Sequence, residues 1–529
     1  MATGDYTNEA ARSATRVAAC ATPSAGYDDR MRLGELSAEV GAEVECEDPT
    51  VDIRRVLHDS RQASPGDLFV AVRGLNVDGH DYAAAAAAQG AAVALERAVE
   101  LPSDTPRLRL SDTRAGLAEL GAALHGRPAR QLTMVGVTGT SGKTTTTHLI
   151  AETVERAGRP AGFLSTVSVR AGGHAQDNPS GRTTMSSPEV QEWLAHIVRG
   201  GAHTAVVEAT SHGLDQGRVD ACEFDVAAVT NIGSDHLDYH GTRERYVRAK
   251  ARLLELCAAA ADKGLPKTAI LNRDDPSYVE LARYPIARRL SYGIDTPADV
   301  RASDLRSRDG GGTEFVLHTP AGSASVSLHV PGRFNVYNAL CAAACCVALG
   351  LSAENVAAGL TCFRGVRGRL EPVDAGQPFQ VLVDFASTAH ELSTVLPQLR
   401  EIVPNRLIVV VGPTGRSDHD RPRMGQAVAD YADFFVITTD DPVGEDPADL
   451  ARQMETGASG RVPGVDYEVV LDRAAAIRRA LLAARPGDTV VLAGKGHERT
   501  MLLADGPVPW DEHGAAREAL TALGLSREL

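Results

Sequence analysis

The chain has 529 residues, and its 54 Lys and Arg against 69 Asp and Glu leave a net charge of −15. That balance argues against a general nucleic-acid coat or an anionic-membrane binder, although local basic pockets stay compatible with it. No run approaches the roughly 20 apolar residues of a membrane span, and at roughly 150 residues per domain the length suits about three domains.

Residues 1–30 mix small and polar types, lack an apolar signal-peptide core and read as a disordered extension. Residues 31–130 alternate short strands with helical patterns. Asp67–Val72 is a strand, and the Ala-rich run from Asp81 is a helix closed by Gly90, with another strand after it. Residues 131–362 open on the apolar run "LTMVGVTG", of the kind buried parallel strands show. A Gly-rich turn, the helix "KTTTTHLIAETVERAG" and the strands Thr204–Ala209, Val226–Ile232 and Lys267–Asn272 follow. Residues 363–529 carry the apolar runs Phe379–Phe385, Arg406–Gly412, Phe434–Thr439 and Asp488–Gly494. Helical patterns separate them, which predicts crossover connections and a second doubly wound sheet. Eight cysteines form no CxxC pair. Those in the apolar segment Cys341–Cys362 read as buried thiols, and a reducing cytoplasm is the expected location.

The strongest chemical signal is "GVTGTSGKTTTT", Gly136–Thr147, between a strand and a helix. Amides of Gly139, Thr140, Ser141 and Gly142, with the helix N-terminus at Lys143, Thr144 and Thr145, favour an anion. Lys143 can neutralise β/γ-phosphates, and the Thr144 hydroxyl can hold Mg²⁺. The commonest phosphate-loop pattern fails by one residue, because position 137 is Val and the glycine sits at 136. ATP is the best-supported ligand, and the loop alone does not exclude GTP. Glu208 stands at a strand end, where a carboxylate can ligate Mg²⁺. Asp235, His236, Asp238 and His240 crowd the loop after the next strand. In a parallel sheet these loops converge on one crevice.

The segments "VTGTSGKTT", "EATSHGLDQGRV", "SDHLDYHG", "LNRDDP", "GRFNVYNAL" and "GKGHE" occur in this order. Together they resemble the Mur ligase family of ATP-dependent amide-forming enzymes, from about residue 31 to the end. The branch most similar adds the third amino acid to UDP-N-acetylmuramoyl-L-alanyl-D-glutamate. His58–Tyr82 supports this separately, because it resembles that branch's uridine-nucleotide-binding domain. The implied fold is α/β in three domains. A central phosphate-loop ATPase-type sheet (131–362) is flanked by an N-terminal uridine-nucleotide-binding α/β domain (31–130) and a C-terminal Rossmann-like ligase domain (363–529). The implied chemistry activates a carboxylate as an acyl-phosphate, which an amine then attacks.

The resemblance also implies residue roles. Thr144 and Glu208 would hold one Mg²⁺ and His236 a second, with Lys143 completing the neutralisation of the reacting oxygens. Lys250 matches a lysine that CO2 converts to a carbamate beside the metal. Read alone, Lys250 is an ordinary surface lysine paired with Glu244 or Glu255. Adenine recognition falls to Asn272, Asn335 and Asn338, although Asn335 read alone equally caps a helix. Arg369 and Asp384 match groups at the ATP phosphates and ribose. They lie in the third domain, so domain closure over the nucleotide is expected. Ser60 and His80, in a segment that also holds Asp78 and Gly79, match the uridine site. Thr183, Thr184, Ser211, Gln216 and Arg218 match the muramoyl-dipeptide site. A gapped match would substitute Ser186–Glu189 for the two threonines, and the alternative reading of that segment is a capped helix start.

Three departures fall in the third domain. Asp384-Phe385-Ala386-Ser387-Thr388-Ala389-His390 stands where the branch reads D-Y-A-H-T-P-D. Asp440-Asp441-Pro442-Val443 replaces the D-N-P-R of diaminopimelate-adding members. Val443 cannot pair with a distal carboxylate, a loss of about 2–5 kcal/mol in a desolvated site. The segment Gly412–Gly425 is one residue short and lacks lysines. These features predict an acidic acceptor pocket of Asp440, Asp441, Gly494 and Glu498 that takes lysine, another diamino acid or an unusual amine. The partners expected are small molecules, UDP-sugar dipeptide and amino acid, with no nucleic acid, no membrane insertion and a monomeric chain. A diverged paralogue joining an amino acid to a pathway-specific acid, and a non-catalytic scaffold, are the competing readings.

Overall fold

A computed structural model describes residues 29–45, 48–74, 77–233, 235–308, 312–415 and 420–525. Most of the expected N-terminal extension, Cys20, Cys46 and part of the Gly412–Gly425 segment lie outside the described residues.

The N-terminal sheet contains β1 (Glu43–Val44), β2 (Arg55–Leu57), β3 (Asp67–Val70), β4 (Ala92–Leu95) and β5 (Arg107–Arg109). Its order is β1-β5-β4-β3-β2, parallel except for β1. The Ala-rich run forms α1 (Ala83–Ala88), and the chain turns at Gly90 with φ +85° before β4.

The central sheet begins with β6 (Thr133–Thr138), β7 (Ala161–Leu164), β8 (Ser168–Ala171), β9 (His174–Asp177), β10 (Thr204–Glu208) and β11 (Val226–Val229). It continues through β12 (Thr268–Asn272), β13 (Arg288–Gly293), β14 (Val300–Ser307), β15 (Thr313–Thr319) and β16 (Gly322–Leu328). The order is β9-β8-β7-β10-β6-β11-β12-β13-β14-β15-β16. Seven strands, from β7 to β14, run parallel, and antiparallel hairpins extend both edges. The five strands β7, β10, β6, β11 and β12 are buried on both faces, which is why they are apolar throughout most of their length. One face packs on α2 (Lys143–Arg156) and α4 (Arg333–Ala348), the other on α3 (Arg243–Ala259) and the helix Ser187–Arg199. Each fully buried Val or Ile here contributes about 1.5–3 kcal/mol of hydrophobic free energy. Gly136 explains the shifted glycine of the loop pattern. A Cβ there would stand 2.6 Å from Leu253 of α3, so the strand needs glycine for close packing.

Register brings the chemistry together. Glu208 pairs with Val137, and Val229 pairs with Thr138, so β6, β10 and β11 end at one level. Their following loops must open into the same crevice.

The C-terminal sheet has β17 (Glu371–Pro372), β18 (Gln380–Asp384), β19 (Leu407–Val411), β20 (Phe434–Ile437), β21 (Tyr467–Val469) and β22 (Thr489–Ala493). Its order is β17-β18-β22-β19-β20-β21, parallel apart from β17, with apolar clusters on both faces. Phe334, in the first turn of α4, packs against this third core. Cys222, Cys257, Cys341, Cys345 and Cys346 are buried free thiols, while Cys362 is exposed. No helix of the described residues is long and apolar enough to cross a membrane.

His148 on α2 is buried against Phe163, its ring 4.3 Å away, with Nε2 3.1 Å from Ser165 Oγ. Burial pushes its pKa down to about 3 from 6.5. Between those values the unfolded chain binds the extra proton, so stability is full above pH 6.5 and falls as the medium is acidified. His148→Gln should flatten that slope, read from urea midpoints at pH 7.5 and 5.

Candidate active site

The turn between β6 and α2 is held from outside. Ser141 N donates to Asn231 Oδ1 at 3.0 Å and Thr140 N to Asn231 O at 2.9 Å. Gly142, the residue before α2, has φ +81°, and a Cβ on it would lie 2.1 Å from Asn338 Oδ1. Both the backbone angle and the close approach demand glycine. Thr145 is half-buried in the first turn of α2.

Two lysines meet at this turn. Lys143 Nζ donates to Gly139 O at 3.1 Å and to Thr140 O at 2.9 Å. Lys250, from α3, donates to the same Gly139 O at 2.7 Å and is 1% exposed. Burial lowers the pKa of both; the Lys143 charge lowers that of Lys250 further, and Lys250 falls well below the ordinary lysine value. The surface pairing of Lys250 with a glutamate is therefore replaced by a buried contact with the loop.

Glu208 is 2% exposed. Thr144 Oγ1 and Thr166 Oγ1 each donate to it at 3.0 Å, and Thr166 N donates at 2.9 Å. Among the described residues no Lys, Arg or His forms an ion pair with it. A buried carboxylate served only by neutral donors, beside a threonine hydroxyl, is an oxygen donor set that suits a hard divalent cation such as Mg²⁺. His236 sits across the crevice with φ +51°, a strained backbone for a non-glycine residue. Its Nε2 is 3.4 Å from Asp235 Oδ2, and its ring is 4.6 Å from that of His212.

The asparagines border the loop. Asn338 Nδ2 donates to Asn335 Oδ1 at 3.1 Å, and Asn335 Nδ2 to Pro331 O at 2.7 Å. Asn335 lies inside the first turn of α4, whose N-cap is Gly332, so it does not cap the helix through that position. Asn272 Nδ2 donates to Thr230 O at 3.2 Å.

On the other side of Glu208, Thr183 Oγ1 accepts from Thr166 Oγ1 at 3.1 Å. Thr184 Oγ1 donates to Glu208 O at 3.2 Å, and its carbonyl accepts from Arg218 at 2.8 Å. Arg218 also donates to Gln216 Oε1 at 2.6 Å, and the buried Ser211 Oγ has no partner. Thr184, Arg218 and Gln216 are thus joined in one hydrogen-bonded chain, while Thr183 bonds Thr166. Ser186 and Glu189 form a capping box at the helix Ser187–Arg199, the helix-start alternative for that segment.

Two expectations change. His80 is buried, with Nδ1 2.7 Å from Asp78 Oδ1 and Nε2 accepting from Glu96 N at 3.2 Å. Both ring nitrogens are spent inside the N-terminal domain, so His80 shapes that loop and offers no free nitrogen to a ligand. Ser60 opens a short 3-10 turn nearby and keeps partial exposure. The expected open acidic pocket is occupied by Lys495, which is fully buried. Its Nζ lies 2.8 Å from Asp441, 2.6 Å from Glu498 and 3.6 Å from Asp440. Asp440 Oδ2 has no partner, faces Gly494, and burial raises the Asp440 pKa to about 6.

Asp384 accepts from Leu370 N at 2.8 Å and Ala386 N at 2.9 Å, which fixes the segment bearing Arg369. Arg369 lies over Phe385 at 4.8 Å, and its buried Nε is unpartnered, a donor suited to an anion. Ser387 and Thr388 bond Glu391 at the start of α5 (Ala389–Ile402), so the departure from the branch motif builds a helix cap.

Comparison with known proteins places this geometry. The model described as "Mur ligase family, catalytic domain" matches residues 52–125, "Mur ligase middle domain" matches 137–346, and "Mur ligase, glutamate ligase domain" matches 368–496. The UDP-N-acetylmuramyl-tripeptide synthetase of Roseiflexus sp. (strain RS-1) is 41% identical over 508 residues, covering 93% of this chain and 99% of that protein. The chain belongs to the Mur ligase family. A second relative of this Mur ligase is the UDP-N-acetylmuramoyl-L-alanyl-D-glutamate--2,6-diaminopimelate ligase of Geobacillus kaustophilus (strain HTA426). It is 40% identical over 475 residues, covering 89% of this chain and 96% of its own. A solved UDP-N-acetylmuramoyl-L-alanyl-D-glutamate--2,6-diaminopimelate ligase aligns with a TM-score of 0.65 at 29% identity, covering 93% of this chain and 100% of that one.

In this Mur ligase, sequence reasoning missed Thr166, Phe385 and the role of Lys495. Thr166 sits in "LSTVSV", which carries no motif signal, yet it bonds Glu208 three ways and Thr183 once. Groups that orient a metal-binding carboxylate usually govern metal affinity about 10- to 100-fold. Thr166→Val should raise the Mg²⁺ concentration for half-maximal ADP release by about tenfold, as read from a Mg²⁺ titration.

Proposed function

We propose that this Mur ligase uses ATP to join an amino acid to a carboxylate of UDP-N-acetylmuramoyl-L-alanyl-D-glutamate in peptidoglycan precursor synthesis. A carboxylate oxygen attacks the γ-phosphorus and ADP leaves. The amine then attacks the acyl carbon of the acyl-phosphate, phosphate leaves, and the nitrogen loses a proton. The observation that carries this reading is the unbroken hydrogen-bond path from Thr144 through Glu208 and Thr166 to Thr183. It sets the nucleotide side and the acid-substrate side of one cleft against each other.

Thr144 and Glu208, with His236 opposite, would hold Mg²⁺, whose contribution when bound is to neutralise phosphate oxygens. Lys143 exchanges the Gly139 and Thr140 carbonyls for phosphate oxygens. Arg369 brings its unpartnered donor from the C-terminal domain, and Asn272, Asn335 and Asn338 face the base. Ser60 serves the uridine end, and Thr183, Thr184, Ser211, Gln216 and Arg218 the muramoyl-dipeptide end. Domain limits near residues 130 and 362 fit this division.

Lys250 carries a carbamate in the working enzyme on this reading. Its amine is seated without a carboxylate partner, and burial beside the Lys143 cation lowers its pKa well below the ordinary lysine value, which favours the nucleophilic, uncharged form. The uncharged nitrogen bonds the carbon of CO2 and releases one proton, so a neutral amine becomes an anion that could help hold the metal. Turnover should fall on removal of bicarbonate, and Lys250→Ala should lose both rate and bicarbonate dependence. A fully active Lys250→Ala variant would remove the carbamate from the mechanism.

The acceptor is a diamino acid without a second carboxylate. What supports this is position 443, which offers a half-exposed valine with φ +48° in place of an arginine that could pair with a distal carboxylate. An acceptor panel with the UDP-muramoyl-dipeptide tests this by ADP release. Lysine or ornithine should exceed meso-diaminopimelate at least about tenfold, the factor of 1.4 kcal/mol, and Val443→Arg should narrow the gap. Turnover with another acid but not with the nucleotide sugar would favour the diverged paralogue.

A further inference from the structure

Tyr246 is fully buried in the first turn of α3, one helical turn before Lys250 and on the same face. Its ring centroid lies 4.4 Å from Lys250 Nζ. At the other end of the ring, the hydroxyl is 2.9 Å from Thr140 Oγ1. That Thr140 oxygen also accepts from Gly233 N at 2.9 Å. Gly233 belongs to the loop that carries Asp235 and His236. One side chain therefore touches the lysine, the phosphate loop and, through Thr140, the loop opposite.

We propose that Tyr246 is a positioning residue of the ligase site: its ring seats the Lys250 side chain, and its hydroxyl locks the phosphate loop to the His236 loop through Thr140. The two functions are separable by chemistry. The ring face lies under the lysine nitrogen and limits where the side chain can sit. The hydroxyl fixes Thr140, whose carbonyl, with that of Gly139, holds Lys143 at 2.9 and 3.1 Å. A displacement of Thr140 moves the acceptors of both lysines at once. Packing alone would be satisfied by phenylalanine, whereas a buried phenol needs a partner and here finds one on the nucleotide loop.

The inference rests on the reading of this loop as the ATP site, and the test separates the two. Tyr246→Phe, Thr140→Val and the double variant are assayed for KM(ATP), kcat and melting temperature. The same proteins are charged with ¹³C-bicarbonate, and the lysine carbamate carbon is read by NMR. Tyr246→Phe should raise KM(ATP) about tenfold, the upper range for one hydrogen bond, with kcat changed less and the carbamate signal kept. The double variant should match Thr140→Val within about twofold, since that single already loses the Tyr246 bond, together with the bond from Gly233. Tyr246→Leu should lose most of the carbamate signal. A wild-type KM(ATP) in Tyr246→Phe, an additive double variant, or a lower melting temperature with unchanged KM(ATP) overturns the inference. Should Tyr246→Leu not fold, the Tyr246→Phe and Thr140→Val cycle decides alone. A wild-type protein that releases no ADP overturns the functional reading and this inference with it.

Discussion

Two amino groups, those of Lys143 and Lys250, donate to one carbonyl oxygen, that of Gly139. Burial and the neighbouring Lys143 charge disfavour a second cation at Lys250. The fold tolerates this because the turn is braced by Asn231, Tyr246 and Asn338, and because Glu208 waits nearby without a cation of its own. Charge of both signs is thus built into the crevice and left uncombined. A polyanion with its metal completes both halves, which is the electrostatic preorganisation an acyl-phosphate pathway requires.

Much of this was legible in the chain. The central parallel strands announce themselves as apolar runs because both faces are covered, and each apolar run named from the sequence contains a strand, although Ala161–Leu164, Arg288–Gly293 and Tyr467–Val469 were not singled out. The edge hairpins do not announce themselves. β8, β9 and β14–β16 carry Arg, Ser, Asp and His on half-exposed faces, so no continuous apolar signal marks them. The phosphate loop was readable even with its misplaced glycine, and the cause of the misplacement, Leu253, lies over a hundred residues away.

Site residues divide along the same line. Residues inside dense motifs, such as Glu208 and Arg218, were legible by type and spacing. Thr166 was not, because a lone threonine after a strand has no local signature. His80 looked available because sequence does not reveal burial, and its two ring bonds come from Asp78 and from Glu96, sixteen positions on. The acidic residues 440, 441 and 498 looked like a vacant pocket for the same reason. Only the tertiary structure shows Lys495 folded into their midst.

Phe334 gives the architecture a mechanical aspect. Its partly buried ring packs against the C-terminal core, while Asn335 beside it is buried and bonds Asn338, which faces the phosphate turn. The first turn of α4 therefore works as an axle shared by two bodies. A shift of the C-terminal domain would bear directly on the helical turn that carries Asn335.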